Sequence, residues 1–151
     1  MGPLGDQELG TAIQQVDSPA WSVRAAAGRQ LAASDRIEEV ADLLHRLLLD
    51  AQDTAVIQET AVALLERKDT IGLRLVLLAY SQAATNDVVD EIGAALGCNP
   101  EWMTTEGADQ LIEQYRELAT DQDSGVRDEA QQLLARLRPR EQWARDSEAD
   151  S

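Results

Sequence analysis

The side chains in this sequence that could do chemistry are carboxylates, which recur at fixed places in a repeated pattern. The pattern is a valine, a small or β-branched residue four positions later and a leucine eight positions later. Its four copies are Val23/Ala27/Leu31, Val56/Thr60/Leu64, Val88/Ile92/Leu96 and Val126/Ala130/Leu134. The second and third residues after the valine are mostly acidic in the last three copies: Gln58 and Glu59, Asp90 and Glu91, Asp128 and Glu129. Carboxylates at equivalent places of stacked repeats would line one surface and attract a basic partner.

The four copies are spaced evenly enough to define a structural repeat. Their valines are separated by 33 positions (23 to 56), 32 positions (56 to 88) and 38 positions (88 to 126). A period of this length is typical of a solenoid, in which each unit is too small to bury its own apolar face and stacks on its neighbours. The longer last interval is explained by an inserted connection from Cys98 to Thr104.

Apolar residues recur with the period of a helix in nearly every segment, which predicts one apolar stripe per helix. No segment alternates with period two, so we expect an all-α fold without strands. Pairing the predicted helices gives four units, at residues 6–33, 35–67, 69–97 and 105–138. We therefore expect one repeat domain over residues 1–138 and an acidic, flexible tail over residues 139–151.

Residues in the connections predict where the helices begin and end. Ser18 followed by Pro19 is typical of an N-cap with proline at the first helical position. The other side chains expected to cap helices are Asp35, Asp53, Asp69 or Thr70, and Thr85 or Asn86. Gly97 is expected to end its helix in a left-handed conformation, and Pro100 to prevent the helix from resuming.

Two segments, residues 17–31 and 121–134, resemble the HEAT repeat. A HEAT repeat is an antiparallel helix pair in which an aspartate-containing turn precedes the second helix. That helix carries a Val-Arg step, here residues 23–24 and 126–127, and then a small residue and a leucine. At the arginine position the second and third units have Ile57 and Val89. The resemblance implies a short right-handed superhelical stack of about four helix pairs, similar to armadillo-like helical folds.

The resemblance also implies roles for particular residues. Arg24 and Arg127 would pack their stems between units and bond to a turn aspartate or carbonyl, which suits the fork of the guanidinium. The second helices would line a concave surface, so the recurring carboxylates would form an acidic stripe on it. The residues expected to contact a partner are Glu59, Asp90, Glu91, Asp128, Glu129 and Trp102. The alternative for the carboxylates is a solvated helix face that only keeps the protein soluble.

Trp102 is a candidate contact because it lies in the inserted segment Asn99-Pro100-Glu101-Trp102-Met103. Aromatic and methionine side chains on a loop are typical anchors of protein interfaces. The alternative is that Trp102 folds back and fills the gap between the third and fourth units.

Composition excludes several classes of partner. The chain has 28 acidic and 13 basic side chains, a formal net charge of −15. Such a field repels the phosphates of nucleic acids and anionic lipid surfaces, so we expect neither as a partner. HEAT-like DNA glycosylases need a positive groove, and this chain has the opposite charge. No apolar stretch approaches the roughly 18 residues that a transmembrane helix needs.

The sequence offers no familiar catalytic or metal-binding set. His45 is the single histidine, and Arg46 follows it, whereas HEAT-like metal-dependent hydroxylases contain several His-Glu dipeptides. We therefore expect no metal, no cofactor and no catalytic residues. Cys98 is the single cysteine, so no intramolecular disulfide can form. We therefore expect the protein to be located in the cytoplasm, which is reducing.

These observations favour a non-enzymatic protein-interaction module, such as a small adaptor, scaffold or regulatory protein. We expect it to be a monomer that binds a protein partner, with a basic partner suiting the acidic concave face. One alternative is an immunity or inhibitor protein that neutralises a basic toxin or nuclease. The other is a lyase-like or accessory repeat protein that holds a small ligand in its groove.

Overall fold

The protein is all-helical in the part of the chain that the computed structural model describes, which is residues 6–149 for the backbone and 7–137 for side chains. The prediction of an all-α chain is confirmed. The α-helices are α1 (Asp6–Gln15), α2 (Trp21–Ala32), α3 (Ala41–Leu48), α4 (Thr54–Glu66), α5 (Thr70–Ser81), α6 (Asn86–Gly97), α7 (Thr105–Leu118) and α8 (Ser124–Ala149). Two short 3₁₀ helices are η1 (Ile37–Val40) and η2 (Pro100–Met103). None of these helices combines the length and apolar character needed to cross a membrane.

The chain divides into two compact units, residues 1–99 and 100–151. The first contains α1 to α6, and the second contains η2, α7 and α8. Helix α8 extends the helical backbone to Ala149, through most of the segment predicted to be a tail. The predictions of one repeat domain over residues 1–138 and of a flexible tail stay predictions.

In the first unit, the second helices of consecutive pairs are neighbours. Helix α2 packs against α4, and α4 packs against α6. The first helices contact the second ones, because α1 packs against α2, α3 against α2 and α4, and α5 against α4 and α6; α3 and α5 also pack against each other. In the second unit, α7 packs against both α8 and η2. Each predicted pair therefore exists as two helices, with the second helices of the first unit side by side.

The repeated apolar triplets supply the core of this packing. Of the twelve triplet positions, all but Val23 and Leu134 are buried. Val23 belongs to the first copy of the pattern and lies on α2, and Leu134 belongs to the last copy and lies on α8. The burial agrees with the principle that such repeats bury their apolar stripes against neighbouring helices.

Helices α2 and α4 are in close contact at Gly28. A Cβ atom at this position would lie 2.2 Å from Oγ1 of Thr60, closer than two non-bonded heavy atoms can come. The Thr60 hydroxyl is buried and finds no hydrogen-bond partner within the described residues. The absence of a side chain at Gly28 therefore sets the distance between the two helices.

The predicted caps are correct where a single side chain reaches the first turn of its own helix. The Asp53 carboxylate accepts from the N–H of Ala55, Asp69 from that of Gly72, and Thr85 from that of Val88. The Ser18 prediction is wrong, because Ser18 Oγ accepts from the N–H of Ala20 and α2 begins later, at Trp21.

Two further predictions about helix ends are wrong, that for Asp35 entirely and that for Gly97 in its conformation. Asp35 caps no helix, because the 3₁₀ helix η1 precedes α3 and neither has a side-chain cap. Gly97 is not left-handed; the residue with positive φ among those described is Lys68, at 61° after α4. Gly97 is the last residue of α6, as predicted, and the C-cap is Cys98, whose N–H donates to the carbonyl of Ala94.

The Val-Arg arginines make the contacts that their position predicts. The Arg24 side chain is 7% exposed, and its Nε lies 2.9 Å from Oδ2 of Asp50. Nη1 of Arg24 donates to the carbonyl of Ser18, six residues earlier. Nη1 of Arg127 donates in the same way to the carbonyl of Asp121, also six residues earlier. The expected bonding to a turn aspartate or carbonyl is confirmed for both.

A second arginine connects the opposite ends of α2 and α4. Nη1 of Arg67, just after α4, donates at 2.7 Å to the carbonyl of Ala32, the last residue of α2, and at 3.0 Å to that of Ser34 just beyond it. Its Nε also bonds to Asp69, which caps α5. The first two helix pairs are therefore joined at both ends by guanidinium groups that satisfy main-chain carbonyls.

We expect Gly28→Ala to lower the free energy of unfolding by about 2 kcal/mol, because the added methyl group has to displace Thr60 in a packed contact. In urea denaturation Gly10→Ala serves as the matched control. Gly10 also lies inside a helix, but nothing stands within 4 Å of the place that its Cβ atom would take. Alanine there should raise stability by about 0.5–1 kcal/mol. An equal gain at both positions would contradict the close approach of α2 and α4.

We expect Arg24→Met to cost about 3 kcal/mol, because it leaves the Asp50 carboxylate buried without its counter-charge. Arg46→Met is the control, since Arg46 forms an ion pair with Asp17 in which both side chains are more than half exposed. Exposed pairs contribute little, so this variant should stay within about 1 kcal/mol of the wild type. Equal losses in urea denaturation would show that the buried pair has no special role.

Candidate functional site

The most unbalanced charge in the first unit lies on the neighbouring helices α4 and α6. Their sequences contain five acidic side chains and no basic one. The five are Glu59, Glu66, Asp87, Asp90 and Glu91. All five are exposed or half-buried. We call this surface the acidic face.

Glu59 is the member of the acidic face that has a counter-charge. Its Oε2 lies 2.5 Å from Nη1 of Arg29 on α2. The two side chains are 38% and 51% exposed, so solvent screens the attraction and the pair contributes little to stability. Arg29 therefore partly neutralises the acidic face at the border between α2 and α4.

Asp90 and Glu91 carry charge that no described basic residue pairs with. Asp90 is exposed and Glu91 is half-buried on α6. The neighbouring helix α4 adds the exposed Gln58 and the 38% exposed Val62 to this surface. Of the predicted partner-binding residues in the first unit, these two carboxylates are the ones available to a basic group.

Asp128 and Glu129 lie in the second unit, on α8. Asp128 is exposed and Glu129 is half-buried. Burial raises the pKa of Glu129, while the charge of Arg136 lowers it and that of Asp128 raises it. The equivalent position is half-buried in all four pairs, at Ala26, Glu59, Glu91 and Glu129. Equivalent residues of the repeat thus share an environment, although basic residues also lie on α8.

Trp102 lies on η2 in the second unit, half-buried against α7. Its ring stacks on that of Tyr115, with centroids 6.2 Å apart and planes inclined by 19°. Tyr115 is 1% exposed, and burial raises the pKa of its hydroxyl. Met103, the next residue, is 85% exposed. At this turn the methionine, rather than the tryptophan, presents most of its surface to solvent.

A cleft of about 700 Å³ opens between the turns that precede α2 and α4. We call it the turn cleft; it is lined by residues 16–19, 24, 45–47 and 49–52. The buried Arg24–Asp50 pair lines it, and so does the exposed pair of Arg46 and Asp17. His45 also lines it, with Nε2 placed 2.9 Å from Oε1 of Gln82. Among the described residues, no group of three or more His, Cys, Asp or Glu side chains could hold a metal ion.

Sequence reasoning missed the turn cleft. Its signal lies six residues before each repeat valine, where Asp17, Asp50, Gln82 and Thr120 stand. All four are polar, and the first three bond to a side chain of another helix. Comparing the repeats at this position could have indicated that the turns are connected, but not which arginine each turn binds.

No family model matches this sequence, and no curated protein or solved structure matches it significantly. What the chain binds has to be inferred from its own charges, contacts and burial.

The raised pKa of Glu129 gives a pH-dependent prediction. A carboxyl with a higher pKa in the folded protein holds its proton more tightly there, so stability falls as pH rises through the interval between the unfolded and folded values. We expect Glu129→Gln to raise the urea midpoint at pH 7 and to leave it unchanged below about pH 3.5, where both states are protonated. Asp109→Asn, at an exposed position on α7, is the control. A midpoint gain independent of pH would contradict the burial effect.

Proposed function

We propose that this chain is a HEAT-like solenoid that works as a non-enzymatic protein-binding module and docks a basic partner on the acidic face. The side-by-side packing of α2, α4 and α6, with α1, α3 and α5 packed against them, supports the solenoid arrangement. The two Val-Arg arginines support the HEAT resemblance, because each bonds to a carbonyl six residues earlier.

The observation that carries the binding proposal is the charge of α4 and α6. Five carboxylates stand on these adjacent helices without a single basic residue. Folding them next to each other costs electrostatic repulsion, which a basic partner would relieve.

The same surface has the mixed character that a docking site needs. Val62 is 38% exposed between the carboxylates of the two helices, and Ala94 on α6 is exposed as well. Charges set the encounter rate and the choice of partner, whereas desolvated apolar contacts contribute much of the affinity. A partner with lysine or arginine beside an apolar residue fits both features.

We also propose that the protein works in a reducing compartment such as the cytoplasm. Cys98 is exposed at the end of α6 and forms no disulfide in this chain. Exposed thiols persist where thiol–disulfide systems keep them reduced.

The proposal predicts binding of an amphipathic helical peptide built from Lys, Leu and Ala. A peptide with Glu in place of Lys should bind far more weakly, and salt should weaken the Lys peptide. We expect Asp90→Lys/Glu91→Lys to reduce affinity at least about tenfold, because it reverses the two carboxylates without a counter-charge. Fluorescence anisotropy of a labelled peptide measures these changes, and circular dichroism checks that the fold is kept.

The matched control is Asp35→Lys/Glu38→Lys, at two exposed positions around η1. Two acid-to-lysine changes raise the formal net charge by four in either variant, from −15 to −11. The control should weaken binding less than about threefold, through the long-range field alone. Equal losses in both variants, or equal binding of the Glu peptide, would sink the proposal.

A further inference from the structure

The turn cleft is separate from the acidic face and has a different composition. Its volume of about 700 Å³ is within the range of small-molecule sites, roughly 300–1,000 Å³. Two arginines line it in a protein where acids outnumber bases 28 to 13. Its apolar lining comes from Leu49, which is half-buried, and from Val16 and Leu47, which are 4% and 2% exposed.

In the buried ion pair of the cleft, both oxygens of the Asp50 carboxylate accept hydrogen bonds. Oδ2 of Asp50 bonds to Nε of Arg24, and Oδ1 accepts from the N–H groups of Gln52 and Asp53. This carboxylate therefore has little capacity for another ligand. Arg24 is different, because its Nε and Nη1 are bonded while Nη2 donates to no described residue. The cleft thus contains a guanidinium that is fixed in place, with its Nη2 unbonded among the described residues.

The second arginine of the cleft makes a single, solvent-exposed contact. Nη2 of Arg46 bonds to Oδ1 of Asp17, and its guanidinium makes no other hydrogen bond within the described residues. The two side chains are 57% and 73% exposed. Arginine prefers to bind a carboxylate through two parallel hydrogen bonds, and an exposed single contact of this kind contributes little. Asp17 is therefore a carboxylate that another carboxylate could replace.

Arg24 and Arg46 have guanidinium N–H groups without a partner among the described residues, and such groups favour an anionic ligand. The other residues of the cleft indicate which class of anion fits. The net charge of −15 disfavours small, purely ionic ligands, so an anion needs further attraction to bind. The apolar side chains of the cleft supply it for a ligand with an apolar body. We propose that the turn cleft binds a small organic carboxylate with an apolar body, whose carboxylate takes the place of Asp17 on Arg46.

The test is an NMR titration of the full chain with 4-phenylbutyrate as the probe, compared with the neutral 4-phenylbutyramide and with inorganic phosphate. We expect phenylbutyrate to shift the backbone amides of residues 16–18 and 46–52. The amide and the phosphate should bind at least about tenfold more weakly, because one lacks the charge and the other the apolar body. Tighter binding of phosphate, or shifts scattered over the surface, would overturn the assignment.

Two variants test whether the carboxylate of the ligand replaces Asp17 on Arg46. Both change exposed side chains. Arg46→Gln should weaken phenylbutyrate binding at least about tenfold, since it removes a charged donor. Asp17→Asn should strengthen binding about threefold to tenfold, since it removes the competing carboxylate. Asp35→Asn is the control, with the same change in net charge at an exposed position outside the cleft. Asp17→Asn acting no differently from Asp35→Asn would refute the exchange.

Discussion

The buried ion pair between Arg24 and Asp50 is the contact on which the turn cleft and the packing of the first two helix pairs depend. One guanidinium reaches Asp50 before α4 and the carbonyl of Ser18 before α2. Removing these charges from water is costly, so the pair persists only because hydrogen bonds satisfy the carboxylate from the other side. The distance between the two turns is thereby set. That distance places α2 beside α4 and leaves the turn cleft as the space between the turns.

The two surfaces use charge in opposite ways. On the acidic face, Asp90 and Glu91 have no counter-charge among the described residues, so their field reaches beyond contact distance and would attract the proposed basic partner during its approach. In the turn cleft, Asp17 and Asp50 are each matched by an arginine. A balanced site exerts little long-range attraction, and a ligand is selected there only by exchanging one hydrogen-bonded partner for another.

How much of the structure the sequence predicts depends on how far apart along the chain the interacting residues are. The helix pairs follow from apolar periodicity, and the caps at Asp53, Asp69 and Thr85 follow from a side chain that bonds two or three residues away. Ser18 and Asp35 mislead because the chain forms an extra turn before the helix begins. The contact of Arg29 with Glu59 and the turn cleft depend on helices placed by tertiary packing. Local pattern cannot specify such contacts.

The side-by-side order of the second helices gives the acidic face a direction. Helix α2 contains two arginines and no acid, α4 contains two acids and no base, and α6 contains three acids and no base. The buried Arg24 is paired with Asp50, so the exposed formal charge runs from +1 on α2 through −2 on α4 to −3 on α6. A partner with basic residues at one end gains most with that end over α6, and the reversed arrangement sets like charges against Arg29. In the proposed docking, the gradient would favour one orientation of the partner before any side chain makes contact.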